Sequence, residues 1–107
     1  MNYETFLKVK THLLTQNKKS HDVGEGCVYR NSEGLKCAVG CLIPDEDYAA
    51  NMEFKGVDNL QHRGLLKGMD TYMLRELQLI HDLNPPSMWK EKLDTFELEH
   101  FNEVTNS

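Results

Sequence analysis

The sequence predicts an α+β fold: a mostly helical single domain of four to five helices, with a small two-stranded hairpin at about residues 27–38. Three observations predict it. Apolar residues recur at helical spacing over residues 2–17 and 71–83, as amphipathic helices require. Two short β-type runs, residues 27–30 and 35–38, flank the turn sequence Asn31-Ser32-Glu33-Gly34, with Gly34 available for a positive φ. At 107 residues, 39% hydrophobic and 27% charged, the chain has the length of one domain and enough apolar residues for one core.

The elements follow in order. Asn2 caps the first helix, Glu4 sits in its first turn, and Tyr3, Phe6, Leu7, Leu13 and Leu14 recur on one side. Residues 20–26 form a polar, glycine-containing loop. In the hairpin, a register that sets Tyr29 against Leu35 also sets Cys27 against Cys37. Pro44, with Asp45 and Glu46 behind it, starts a short helix through Tyr48 and Met52. Asp58 caps another through Leu65 and Leu66, which Gly68 ends. Asp70 caps the helix over 71–83, whose stripe is Met73, Leu77 and Ile80, widened by Leu74 and Leu83. Asn84-Pro85-Pro86 breaks the chain. Ser87 then caps a last helix in which Trp89, Leu93 and Phe96 share a face. Glu97, Glu99 and Glu103 crowd the negative end of that helix, so residues 98–107 are expected to fray.

Charge and composition exclude several functions. Twelve basic and 17 acidic residues leave a net charge of −5, which disfavours binding to phosphate-rich nucleic acid. The basic cluster Lys18, Lys19 and His21 answers the carboxyl end of the first helix. No stretch approaches the roughly 18 apolar residues of a membrane span. The opening MNYETFLKVK shows no basic region followed by an apolar core, so the expected compartment is the cytoplasm, where thiols stay reduced. An odd number of cysteines fits a disulfide framework poorly.

All three cysteines lie within residues 27–48. That block reads Cys27, Tyr29-Arg30, Gly34, Lys36-Cys37-Ala38, Val39-Gly40, then Ile43-Pro44-Asp45-Glu46 with Tyr48. Met52-Glu53, the run from Leu77 to Asp82 and Trp89 after the prolines complete the pattern. In these features the chain resembles a family of small proteins common in tailed phages and some bacteria. The resemblance spans roughly residues 3–96. It implies a phage or bacterial origin and one compact domain, and it implies no reaction, ligand or catalytic residue.

Three readings of the thiols compete. Zinc needs four ligands, and Cys27, Cys37 and Cys41 with His81 are the candidate set; His21 and His62 are the other histidines considered. The spacing is unlike paired zinc knuckles. A nucleophilic thiol needs a base and an orienter for that base. His81 and Asp82 diverge by about 100° on a helix and are not expected to align, while apolar neighbours raise the thiol pKa at Cys37 and Cys41. The third reading, small buried hydrophobes, is the one the residue types favour. Asp45 and Glu46 read as first-turn acids rather than a catalytic carboxylate pair, and His81 as a hydrogen-bonded core or edge histidine.

Tyr29, Arg30 and Lys36 near the tight turn are the candidate binding residues, as tyrosine and arginine favour interfaces and anions. The expectation is a small soluble non-enzymatic binding protein without a cofactor, a phage accessory type that docks on a host protein. The alternative is an anion- or nucleotide-binding module of the sequestering type, using Arg30 and Lys36 with backbone amides at the Pro44 helix start. A second alternative is a zinc- or thiol-dependent hydrolase.

Overall fold

The computed structural model describes residues 2–105, with side chains through Phe101. Among these residues the elements are α1 (Tyr3–Gln16), β1 (His21–Asp22), β2 (Gly26–Cys27), α2 (Val57–His62), α3 (Thr71–Leu83) and α4 (Pro86–Thr105). Short 3₁₀ turns at Gly40–Leu42, Asp45–Asp47 and Ala50–Met52 fill the long stretch between β2 and α2. This is a small α+β domain, and no described helix is long and apolar enough to cross a membrane. The part of the expected frayed tail at 106–107 lies outside the described residues.

The caps at Asn2 and Asp70 form as the sequence indicates. Their side chains accept from the amides of Thr5 and Met73, satisfying donors that a first helical turn leaves open. α1, α3 and α4 pack against one another. Phe6, Val9 and Leu13 meet Met73, Leu74, Leu77, Trp89 and Leu93, all fully buried. Trp89 also donates its indole N–H to the Asn84 carbonyl at 3.1 Å, so its one polar atom is satisfied inside. An aromatic group of Tyr3, Phe6, Phe96 and Phe101 closes the far end. Phe101 adopts non-helical angles (φ −125°, ψ 19°) within α4 and is buried there.

Several elements depart from expectation. The regular ladder lies earlier in the chain, pairing His21 with Cys27 and Asp22 with Gly26. The 27–38 segment closes through a single bridge, Arg30 to Lys36. Cys37 donates its amide to the Tyr29 carbonyl, so Cys37 lies across from Tyr29 and not from Cys27. The turn itself is built by Asn31, whose side-chain oxygen accepts from the amides of Glu33 and Leu35, with Gly34 at φ +84°. Side-chain clamps of this kind compete with ladder bonds.

The helix expected from Pro44 to Met52 is two 3₁₀ turns separated by extended backbone at Tyr48 and Ala49. α2 starts after Gly56 and stops at His62, short of Leu65, and Asp58 lies inside its first turn rather than at its cap. α4 begins at Pro86 and not after Ser87; Pro tolerates that position because its missing N–H has no helical partner there. Glu97 does not repel its own helix end: it accepts from Lys10 at 2.7 Å and from the Tyr3 hydroxyl, tying α4 to α1.

One glycine is required by packing. A Cβ on Gly40 would stand 2.1 Å from the Tyr29 carbonyl oxygen and 2.9 Å from its carbon. The backbones of the Cys-rich turn and the Tyr29 strand therefore approach to a distance that only glycine permits.

Candidate functional site

The cysteine block does not converge on one point. Cys37 is buried, its sulfur accepts from the Gly40 amide at 3.2 Å, and burial pushes its thiol up to about 12. Cys41 is half-buried, donates to the Ala38 carbonyl at 3.1 Å, and is pushed up by burial to about 11. Cys27 lies at the end of β2. All three are free thiols.

Cys27 instead meets α3. Its sulfur, a ring nitrogen of His81 and a carboxylate oxygen of Asp82 lie within 4.8 Å of one another, the sole such trio among the described residues. His81 Nδ1 is 2.7 Å from Asp82 Oδ1. The expected divergence of these two neighbours is therefore overturned: the 100° step governs Cβ directions, and a ring nitrogen and a short carboxylate can still meet beyond them.

The hydrogen-bond network decides what this trio can do. The backbone amide of Ser20 points at His81 Nε2 at 3.0 Å, in a buried contact. An amide can only donate, so Nε2 is the acceptor and the neutral ring carries its proton on Nδ1. That proton goes to Asp82, which also accepts from the Gln78 amide at 2.9 Å. Both ring nitrogens are thus committed, and the ring stacks on Trp89 with centroids 5.3 Å apart.

A metal on Nδ1 would force the proton to Nε2, setting two N–H donors against each other inside the core. The donor set does not fit zinc. Nor has His81 a free lone pair to accept the Cys27 proton, as a thiol nucleophile requires. Burial, and then the Asp82 charge, push the Cys27 thiol up, the opposite of activation.

Tyr29, Arg30 and Lys36 each have internal partners, but one buried donor, Arg30 Nε, has none among the described residues. Tyr29 is buried, its hydroxyl donates to the Lys55 carbonyl, and burial pushes that hydroxyl up to about 12. The Arg30 guanidinium pairs with Asp45 at 2.8 Å, donates to the Ile43 carbonyl at 2.6 Å and lies 4.6 Å over the Tyr48 ring. Lys36 reaches the same Asp45 carboxylate at 3.4 Å. Lys36 and then Arg30 hold the Asp45 carboxyl below its ordinary range.

Glu53 completes this clasp. It accepts from the amides of Tyr29 and Arg30 and from the Tyr48 hydroxyl, fastening the 45–56 segment to the body. Sequence reasoning placed Met52-Glu53 in a motif without a role. A lone acid in a loop carries no sign that its partners lie 23 and 24 residues upstream.

Exposed apolar side chains stand along α3 and beside it, with others at Val23 and Leu98. Leu79 is 46% exposed, Leu83 one turn later 74%, and Phe54 in the adjoining segment 74%. Phe54 also holds a left-handed φ of +66°, a conformation that side chains other than Asn or Gly adopt at a cost. Two depressions adjoin Phe54 and Leu79 and share Tyr29 and Gln78 in their walls. No family model, curated protein or solved structure matches this chain.

Proposed function

We propose that the protein is a small non-enzymatic interaction module that docks on another protein, in the phage-accessory setting a protein of the host, and does so through the outer face of α3. The observation that carries this reading is the exposed Phe54 in the wall of one depression and the exposed Leu79 in the wall of another that shares Tyr29 and Gln78 with it, with Leu83 exposed one turn beyond Leu79. Large apolar side chains standing together in water mark interaction surfaces more often than scattered ones do. The self-closed Cys27, His81 and Asp82 trio supports the non-enzymatic half. The pairing of Arg30 and Lys36 with Asp45 weighs against the anion-binding alternative, although the buried Arg30 Nε has no partner among the described residues.

A photo-crosslinking residue in place of Leu79, and at Glu91 on α4 as a control, tests the reading in bacterial lysate. The expected result is a discrete adduct from position 79. Excess unlabelled wild-type protein competes it away, the Leu79→Ser, Phe54→Asn double variant does not, and position 91 gives none. Absence of a saturable adduct at position 79 overturns the assignment.

A further inference from the structure

The two depressions differ in chemistry in a way that specifies what can lie across them. One, of about 160 Å³, has Cys27, Glu53 and Asp82 in its wall together with Tyr29 and Phe54. The next, of about 290 Å³, is formed by Tyr29, Val57 and Leu79 with the stems of Gln78 and Arg75. They share Tyr29 and Gln78 in their walls, which sets a carboxylate-lined depression next to an apolar one on the groove side of α3.

The carboxylates at the first end are held by neutral groups. Glu53 is bonded by two backbone amides and a tyrosine hydroxyl. Asp82 is bonded by the Gln78 amide and by neutral His81. Among the described residues neither carboxylate forms an ion pair with a lysine or arginine. Lys19 lies close, but its ammonium is spent on the Asp82 backbone carbonyl at 3.0 Å. Lys55 stands exposed at the mouth of the depression and pairs with neither. Both carboxylates are half-buried already. A partner that covers them removes their remaining water, and this is costly unless it brings a cation.

We propose that this groove takes a partner segment carrying an arginine or lysine next to a large apolar side chain. The cation sits between Asp82 and Glu53 against the Phe54 ring, and the apolar side chain fills the Val57 and Leu79 depression. This rests on the docking reading above and names the partner's chemistry. Arginine suits the first depression better than lysine, because a guanidinium stacks on an aromatic face while donating in its plane to carboxylates.

The test is a titration of the ¹⁵N-labelled full chain with N-acetyl-leucyl-arginine amide, using the leucyl-glutamine and leucyl-glutamate amides as charge controls. The arginyl probe is expected to move the Gln78 side-chain amide and the backbone signals of Lys55 and Leu79. It should saturate at about tenfold lower concentration than the glutamyl probe, an advantage that shrinks as salt is raised. Leu79→Ser and Phe54→Asn, both at exposed positions, should each weaken it about fivefold while leaving the remaining spectrum in place. Equal binding of the glutamyl probe overturns the charge assignment and leaves the docking face standing. No perturbation of groove signals by any probe overturns the inference outright, and the adduct at position 79 then decides the docking reading separately.

Discussion

Replacing His81 by leucine separates a structural histidine from a catalytic one. The exchange keeps an apolar body under Trp89 and removes both ring nitrogens. The Ser20 amide, buried and bonded to Nε2 at 3.0 Å, is left without a partner, a loss of about 1–3 kcal/mol. Asp82 loses one donor but is half-exposed and keeps Gln78 at 2.9 Å, so its share is about 1 kcal/mol or less. The stack on Trp89, with centroids 5.3 Å apart, contributes about 0.5–1 kcal/mol. Leucine returns about 1 kcal/mol through its added apolar burial. The net destabilisation is about 0.5–4 kcal/mol, centred near 2 kcal/mol, which at that centre lowers the melting temperature of a domain this size by roughly 8–16 °C.

Urea unfolding followed by Trp89 fluorescence measures this directly, because Trp89 is the single tryptophan and stacks on the replaced ring. Labelling of native Cys27, read by peptide mass mapping, supplies the second measurement. A structural His81 leaves that rate unchanged or raises it as the contact loosens. A destabilisation below about 0.5 kcal/mol, or a tenfold fall in Cys27 labelling with the fold intact, refutes the reasoning. The second result would make His81 the base that forms thiolate.

Gly40→Ala drives a methyl into the Tyr29 carbonyl, 2.1 Å from the built Cβ, and should cost at least about 1–3 kcal/mol in urea unfolding. Phe54→Asn relieves a left-handed aromatic at φ +66° and should leave stability unchanged or raise it by up to about 1 kcal/mol, while docking weakens; a clear loss of stability refutes the strain argument. Glu53→Ala strands the amides of Tyr29 and Arg30 and the Tyr48 hydroxyl, and hydrogen exchange should accelerate across 45–56 before any other segment. Lys10 holds the Asp94 and Glu97 carboxyls below their ordinary range. Their contribution is therefore present above the unfolded carboxylate range near pH 4 and fades as pH falls through the lower folded values. Lys10→Met should flatten that acid slope by about 1 kcal/mol or less, as read from melting temperature against pH.

How much of this was legible depends on where each interaction's partners lie in the chain. Asn2 and Asp70 act on amides three residues away, so both helix starts could be read locally. The face joining Trp89, Leu93 and Phe96 follows from one helical period. The clasp around Arg30 is different: Glu53, Asp45, Ile43 and Tyr48 reach it across 13 to 23 residues. Until those contacts are known, a tyrosine and arginine beside a turn look like free donors. The hairpin was displaced for the same reason, since Asn31 and the Gly40 approach to Tyr29 replace a second ladder by clamps that no alternation pattern encodes. α2 stopped early because Gly64 turns the chain at φ +91°, ahead of the Gly68 that the sequence suggested as the stop.

The three thiols divide into two kinds of surroundings. Cys37 and Cys41 lie against their own turn as small residues, which the residue types indicated. Cys27 does not: it lines the carboxylate end of the groove, beside a histidine whose nitrogens are both spoken for. A catalytic constellation keeps one nitrogen free for substrate or nucleophile, and here the Ser20 amide holds the one that would have to be free. The same bond ties Ser20, the residue before β1, to α3 beside Cys27 and Asp82. The Cys27, His81 and Asp82 trio is thus part of the fold's own bonding, and Phe54 and Leu79 stand exposed in the walls of the depressions beside it.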